Sequence, residues 1–479
     1  MSVLVIDVGS SSLRAAVVRP DGTIGHVHQR LLASSRPAPG FAEFDPAALS
    51  DASLEIAAAA LRGAEDVDVI GIASQRASTV LWERDTGLPV GPAISWQDIR
   101  TAGACVALAS KGFRLAPNQS ATKLAYLLDR YDPERSRDLC FGTVESYLVF
   151  SLTFGNTHVT DASNAALTGL VDPEVADWDD RILDELRISR RTLPRIVDST
   201  GLVAEASALP GGLPIGGLIG DQQASLIGQA RISPGEAKVT FGTGGMLDCR
   251  TESRPEFTVR GDRGSFPIVA WREAGRTSWG IEAVMLSAGS CVEWLRSGLG
   301  LIADVEESHV LAASVPDSGG VYFVPALGGM GAPVWDFGAR GTLVGLTAAT
   351  SRAEVVHAVL EGIAHRGADL VESAEQDAGV TIETLHVDGG MTANATFLQL
   401  LADAVGRPVA PSAAREATTL GAAYLAGTAN RTWPSLADAA KTARYLTLVE
   451  PRRSLDRERW LDARERALKT VPAMSAITF

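Results

Sequence analysis

Cysteine is scarce: Cys105, Cys140, Cys249 and Cys291 are the four in a chain of 479 residues, and none stands at a metal-ligand spacing from another. That excludes a disulfide scaffold and a cysteine-held metal centre, and reads as reduced, packing thiols of a cytosolic protein. Basic charge is also in deficit, with a formal net charge of −14. Nucleic acid and anionic membrane are therefore poor partners, although a local basic pocket leaves an anionic substrate open. No apolar run approaches the roughly 20 residues of a membrane span, and no signal-type segment precedes the first strand-like run. The chain reads as cytoplasmic. It has no low-complexity segment, no long linker, and no GxxxxGK[ST] phosphate loop.

What is present is a large soluble core. Hydrophobic residues make up 46% and charged residues 21%, and the length suits two domains. SVLVID and RAAVVR read as strands joined by DVGSSSL, with Pro20-Asp21-Gly22 leading to IGHVHQRLL. PAALSDASLEIAAAALRGA has helical periodicity, and DVIGIASQ returns to strand. This order predicts a mixed α/β sheet rather than a pure Rossmann array. From about Thr101 to Pro210 the pattern is helical with loops. PIGGLIGDQQASLIGQA then reads strand, turn, helix, and KVTFGTGGMLDCRT reads strand, turn, strand. SWGIEAVMLSAGSCVEWLRSGL is expected to open a helical region. A long helix closes at Gly379, TLHVDGG ends a buried strand, NATFLQLLADAVG is a helix, and REATTLGAAYLAG is a turn and helix. DVGSSSL and FGTGGML share one plan. That echo predicts two similar domains, 1–233 and 234–479, divided near Ser233-Pro234-Gly235 and facing each other across a cleft.

Several stretches could carry chemistry. In the first turn Gly9 permits close backbone approach, Ser10, Ser11 and Ser12 offer N–H and hydroxyl donors, Arg14 adds charge, and Asp7 could hold a hydrated Mg²⁺. A plain solvated hairpin tip is the alternative. Gly242-Thr243-Gly244 offers a second such turn, or an ordinary glycine hairpin. Gly389 and Gly390 end a buried strand before a helix, where backbone can approach a ring or a phosphate, or simply pack tightly. Asp221 follows an apolar strand, placed either to take a proton from an attacking hydroxyl or to cap a helix. Arg76 ends another strand and could hold substrate hydroxyls or phosphoryl charge, or form a salt bridge. Trp96 in ISWQDIRT is a flat sugar platform or a core residue.

Together these stretches resemble the FGGY family of carbohydrate kinases, its glycerol kinase branch most closely, from DVGSSSLRAAVV to about TTLGAAYLAGTA. GTLVGLTAATSRAEVVHAVLE is the most specific segment, and GDQQASLIGQ, FGTGG, GGMGAPVWDFGARG, HVDGGMTAN and ATTLGAA also match. QSATKLAYLLD departs at Tyr126, where the family usually has Trp. The resemblance implies an α/β fold of two actin-like (ribonuclease-H-like) ATPase domains flanking a catalytic cleft. It implies ATP- and Mg²⁺-dependent phosphorylation of a small polyol or sugar hydroxyl, and a homodimer stays open. By position Ser10, Ser11 and Arg14 match the first phosphate loop and Thr243 the second. Gly390 and Asn394 match the adenine-side turn and Gly289 a nucleotide contact, while Glu293 replaces a Gln. Asp221 matches the catalytic base, Gln222 a substrate contact and Arg76 the substrate arginine.

The departures from glycerol kinases fall in the substrate pocket. Ala77 replaces a Glu, Asn118 a Tyr and Met246 a Phe. Each buried partner lost weakens glycerol binding by on the order of 1–3 kcal/mol, and Ala77 makes room. The expected acceptor is a somewhat larger polyol or ketose, with glycerol itself as the alternative. An actin-like ATPase or a non-catalytic regulatory homologue would keep both turns but would not need the Arg76–Asp221 pair.

Overall fold

The computed structural model describes residues 1–413 and 416–477. Its centre is a twelve-stranded sheet: β1 (Ser2–Val8), β2 (Ser12–Val18), β3 (Ile24–Leu31), β4 (Val67–Ser74), β5 (Thr200–Glu205), β6 (Pro214–Gly220), β7 (Ala237–Phe241), β8 (Gly245–Arg250), β9 (Phe266–Glu273), β10 (Arg276–Met285), β11 (Leu385–Asp388) and β12 (Val409–Pro411). The order is β12-β11-β7-β8-β10-β9-β5-β6-β4-β1-β2-β3.

That order contains one pattern twice. In the first half β3, β2 and β1 form an antiparallel meander, and β4 and β6 continue it in parallel. In the second half β10, β8 and β7 form the meander, and β11 and β12 continue it in parallel. The expected mixed sheet and the expected echo are thus one fact: DVGSSSL joins the first two strands of one half and FGTGGML those of the other. The halves touch edge to edge through a single register pair, Thr200 with Glu273.

The central strands such as β1, β4 and β6 read as nearly continuous apolar runs because both faces are covered. Leu4, Ile6 and Val8 enter one core cluster, with the helix α1 (Pro46–Leu61), whereas Val3 and Val5 enter another. Asp7 continues the Val3–Val5 face, so its carboxylate points to the side where the two halves meet. The covering of that side is exchanged between the halves. Helix α2 (Asp221–Gly228) follows β6 but bonds to the second half, with Ser225 Oγ and Gln229 Nε2 donating to Asp388 of β11 at 2.6 and 2.9 Å. The long helix α3 (Arg352–Ala378) and α4 (Ala395–Val405) cover the second half from outside; their αL caps are Gly379, as expected, and Gly406. Helix α5 (Ala417–Ala429) follows β12 but packs on β1, β4 and β6. The turn expected at the start of REATTLGAAYLAG includes Arg415, which lies outside the described residues.

Two expectations change. SWGIEAVM is strand β10, and the helix begins only at Gly289. Burial of both strand faces removes the alternation that would have marked it. The segment between β4 and β5 carries short strands as well as helices, and builds its own core around Leu81, Leu124 and Phe141 beside the first half. All four cysteines are buried and unpaired, as expected. Among the described residues no helix is long and apolar enough to cross a membrane.

Candidate active site

The two echoed turns sit at matching corners of the half-sheets. In the first, Gly9 N–H bonds to Ser12 C=O at 2.9 Å and leaves Ser10 and Ser11 at the tip. In the second, Gly242 N–H bonds to Gly244 C=O at 2.9 Å and leaves Thr243 exposed. The second turn is pinned from behind: Ala288 and Ser290 N–H donate to Thr243 C=O, and Gly289 N–H to Gly242 C=O. A Cβ at Gly289 would press on Gly242 C=O, with Met391 close by, so the glycine brings the turn against the segment after β11. Gly389, at φ +90°, folds that segment over Phe241. Asn394 caps α4 through Phe397 N–H at 2.9 Å and donates to Ser308 Oγ at 3.0 Å. Gly390 is exposed, and so is Glu293, which is paired with Arg296 at 2.6 Å.

Between the corners the halves meet through buried charge. Arg76, just beyond β4, grips Glu282 of β10 in a fork, Nη1 to Oε2 at 2.5 Å and Nη2 to Oε1 at 3.1 Å. Its Nε lies 3.4 Å from Asp221 Oδ1. Asp221 is the first residue of α2, with Gly220 in the cap position, and its Oδ1 accepts Gln222 N–H at 2.8 Å. Lys238 of β7 and Asp248 of β8 are cross-strand partners, paired at 2.7 Å with no exposure, and Asp248 is in turn the register partner of Glu282. Lys238 Nζ reaches across to Gln222 Oε1 at 2.7 Å. One row of charged side chains on three strands of the second half therefore holds the start of α2 and the end of β4.

Titration follows from this burial. Desolvation pushes Asp7 up to about 7, against the pull of Arg14 and with a push from Asp221. Burial also raises Asp221, opposed by Arg76, the Gln222 N–H and Lys238. Asp248 is raised to about 7 by burial, which outweighs Lys238. Arg76 is held above its usual range by Glu282 and Asp221 despite its burial. Among the described residues no cluster of three or more His, Cys, Asp or Glu side chains could hold a metal alone. Asp7, a buried carboxylate raised by desolvation and by the push of Asp221, fits a hydrated divalent cation.

The remaining expected residues divide. Trp96 is half-buried, and its indole N–H donates to Ser10 Oγ at 2.8 Å. Ala77 is buried with φ +60°, a conformation costly for a residue with a Cβ. Met246 is half-buried on β8, on the same face as Asp248. Asn118 is exposed, and its C=O accepts Lys123 Nζ at 3.4 Å. Lys123 itself is buried, and desolvation lowers it to about 7. Arg14 is occupied by carboxylates, Asp7 at 3.8 Å and Glu416. Sequence reasoning did not find Glu282, Lys238, Asp248 or Gln75. The available signal was a single charge or amide inside an apolar run, as in WGIEAVM.

Residues 2–228 match the N-terminal domain of the FGGY family of carbohydrate kinases, and residues 237–430 match its C-terminal domain. The chain is 42% identical to the glycerol kinase of Aromatoleum aromaticum, over 98% of this chain and 99% of the relative. It is 38% identical to glycerol kinase 2 of Thermotoga maritima, over 97% and 98%. Among solved structures, Plasmodium falciparum glycerol kinase with ADP superposes with a TM-score of 0.87 at 28% identity, covering 100% of this chain and 99% of that one. Xylulose kinase from Lactobacillus acidophilus shares the fold, with a TM-score of 0.85 at 22% identity over 99% and 98%. With both domains matched and two-fifths of the residues shared with a relative over nearly its whole length, the chain belongs to the FGGY family of carbohydrate kinases.

Proposed function

We infer that this carbohydrate kinase, an alcohol-acceptor phosphotransferase, moves the γ-phosphoryl group of ATP to a hydroxyl of a small polyol or ketose. The observation that carries the reading is Asp221 beside Arg76 where the two halves meet. Ser10, Ser11 and Ser12 with Gly9, and Thr243 with Gly242 and Gly244, receive the phosphates. Gly289, Glu293, Gly389, Gly390 and Asn394 face the nucleoside. Arg14 lends charge while it is balanced by Asp7 and Glu416. Asp7 would hold a hydrated Mg²⁺, which when bound would neutralise phosphate charge.

Arg76, Gln222 and Trp96 hold the acceptor against Ala77, Asn118 and Met246. Asp221 Oδ accepts the proton of the acceptor hydroxyl as its oxygen bonds to the γ-phosphorus and the bond to the β-phosphate oxygen breaks. ADP leaves with that electron pair. The transition state is loose, so position and charge do most of the work. Residues 1–233 and 234–479 act as the two jaws, and their closure excludes water.

Glycerol is the second reading, favoured by the identity to glycerol kinases. Against it stand Ala77, Asn118 and Met246. Coupled ADP release over glycerol, erythritol, xylitol and D-xylulose decides. The highest kcat/KM is expected on a four- or five-carbon acceptor. Micromolar KM and fast turnover on glycerol would overturn the pocket argument, and no acceptor-dependent ADP release despite ATP binding would overturn the kinase reading.

A further inference from the structure

Gln75 lies immediately before Arg76 and is 1% exposed. Its side chain closes a ring of hydrogen bonds that ties Ser78 and Trp96 to the first turn. Nε2 donates to Gly9 C=O at 3.2 Å. Oε1 accepts Ser78 Oγ at 3.0 Å and Ser10 Oγ at 3.4 Å. Ser78 Oγ accepts the backbone N–H of Trp96 at 3.0 Å, and the Trp96 indole N–H returns to Ser10 Oγ at 2.8 Å. The backbone adds one more link, Gln75 N–H to Val8 C=O at 2.7 Å.

We propose that Gln75 is a positioning residue and that, with the Trp96 indole N–H, it forms a clasp through which the acceptor pocket sets the first phosphate turn, coupling acceptor binding to ATP binding. This rests on the kinase reading above. A hydroxyl has one proton to donate. With the site empty, Ser10 directs that proton to Gln75 Oε1 and takes the Trp96 N–H on a lone pair. A phosphate oxygen at the turn needs the same proton. Gln75 Oε1 keeps Ser78 as donor when Ser10 turns away, so the exchange leaves no buried acceptor unpaired. The Trp96 ring is the acceptor-side wall and also the donor that orients Ser10. Packing an acceptor on the ring therefore fixes the Ser10 hydroxyl, and phosphate on Ser10 fixes the ring. The coupling is reciprocal, as binding linkage requires.

The test is a double-mutant cycle on the full chain, using whichever of the four acceptors the wild type turns over fastest. KM for ATP and for acceptor, and ADP release without acceptor, are measured for wild type, Trp96→Phe, Ser10→Ala and the double variant. Trp96→Phe is expected to raise the ATP KM about fivefold, the order of one net hydrogen bond, beyond its effect on acceptor KM. That rise should vanish in the Ser10→Ala background. Gln75→Met should raise the ATP KM and increase acceptor-independent ADP release relative to transfer. A purely structural role would lower total rates without changing that ratio. An ATP KM unmoved by Trp96→Phe, or raised equally with and without the Ser10 hydroxyl, overturns the clasp. An unchanged ratio in soluble, folded Gln75→Met removes Gln75 from it. No acceptor-dependent ADP release by the wild type, despite ATP binding, would instead overturn the kinase reading and leave these outcomes distinct.

Discussion

At the residue scale the site turns on one guanidinium, that of Arg76, shared by Asp221 and Glu282. Asp221→Asn keeps the shape and the Gln222 N–H contact but removes the proposed proton acceptor. Phosphoryl transfer should fall by about 10²-fold or more, the usual span of general-base catalysis, with nucleotide binding by calorimetry unchanged. A near-wild-type rate would remove Asp221 from the chemistry. Glu282 shares Arg76 with Asp221. In Glu282→Gln the guanidinium is left to Asp221 alone, which favours its ionised form and lowers its pKa. The acidic limb of the pH–kcat profile should move to lower pH while the plateau drops, because a weaker base takes the proton less readily. A limb that moves to higher pH contradicts the assignment. Ala77→Glu puts back a carboxylate beside Arg76. If the pocket argument holds, kcat/KM for glycerol rises about tenfold relative to five-carbon acceptors, the value of one buried charged hydrogen bond.

At the element scale the site depends on how α2 and α5 cross. A Cβ at Gly421 would fall on Ala224 C=O, and one at Gly228 on Ala417 C=O, so the two helices touch through backbone. Gly→Ala inside a helix ordinarily stabilises by about 1 kcal/mol. Gly421→Ala should instead lose about 1–3 kcal/mol by overpacking and, by displacing the helix that begins with Asp221, reduce kcat. Gly103→Ala, in the helix Ala102–Ala109 and with open space where the Cβ would lie, is the control and should not lower the urea midpoint. The two turns were legible in the sequence because a polar glycine tip between apolar runs is a local signal, and DVGSSSL and FGTGGML each supply one. β10 was not, since a strand buried on both faces resembles a helix entry. Nor were the partners of Arg76 and Lys238. A lone Glu282 in WGIEAVM shows that something must neutralise it, but which side chain does so is fixed only when β10 meets the end of β4. Arg14 carries the same lesson: its spacing suggested free charge for a phosphate, whereas the fold gives it Asp7 and Glu416.

At the scale of the whole molecule the empty site should cost stability, in a pH window its carboxylates define. Asp7 and Asp248 rise to about 7, and Glu145 of the first half, buried beside Asp161, does so too. A carboxyl raised on folding binds its proton more tightly in the native state than in the unfolded chain. Its contribution is complete below the unfolded value near 4 and is lost as pH rises through about 7. His158 and His386 work in the opposite sense: burial lowers them to about 4 and about 3, so they favour folding more as pH rises to the ordinary histidine value. Above about pH 6.5 that gain is exhausted; the carboxylates finish their loss near 7, and Lys123, lowered to about 7 by burial, favours folding more as pH rises further toward the ordinary lysine value. Asp7→Asn removes one of them without a change of size. The variant should be little different from wild type near pH 4. It should become more stable by on the order of 4 kcal/mol above pH 7, at about 1.4 kcal/mol per unit of separation. The advantage should shrink when magnesium and nucleotide are added, because ligand that binds the native wild-type site stabilises it by mass action. Thermal midpoints of the ligand-free proteins at pH 5 and pH 8 read this directly. Equal differences at both values would show that Asp7 is not the strained carboxylate. A stabilised Asp7→Asn that has also lost phosphoryl transfer would show that the molecule gives up stability at this corner to hold a charge that Mg²⁺ would neutralise.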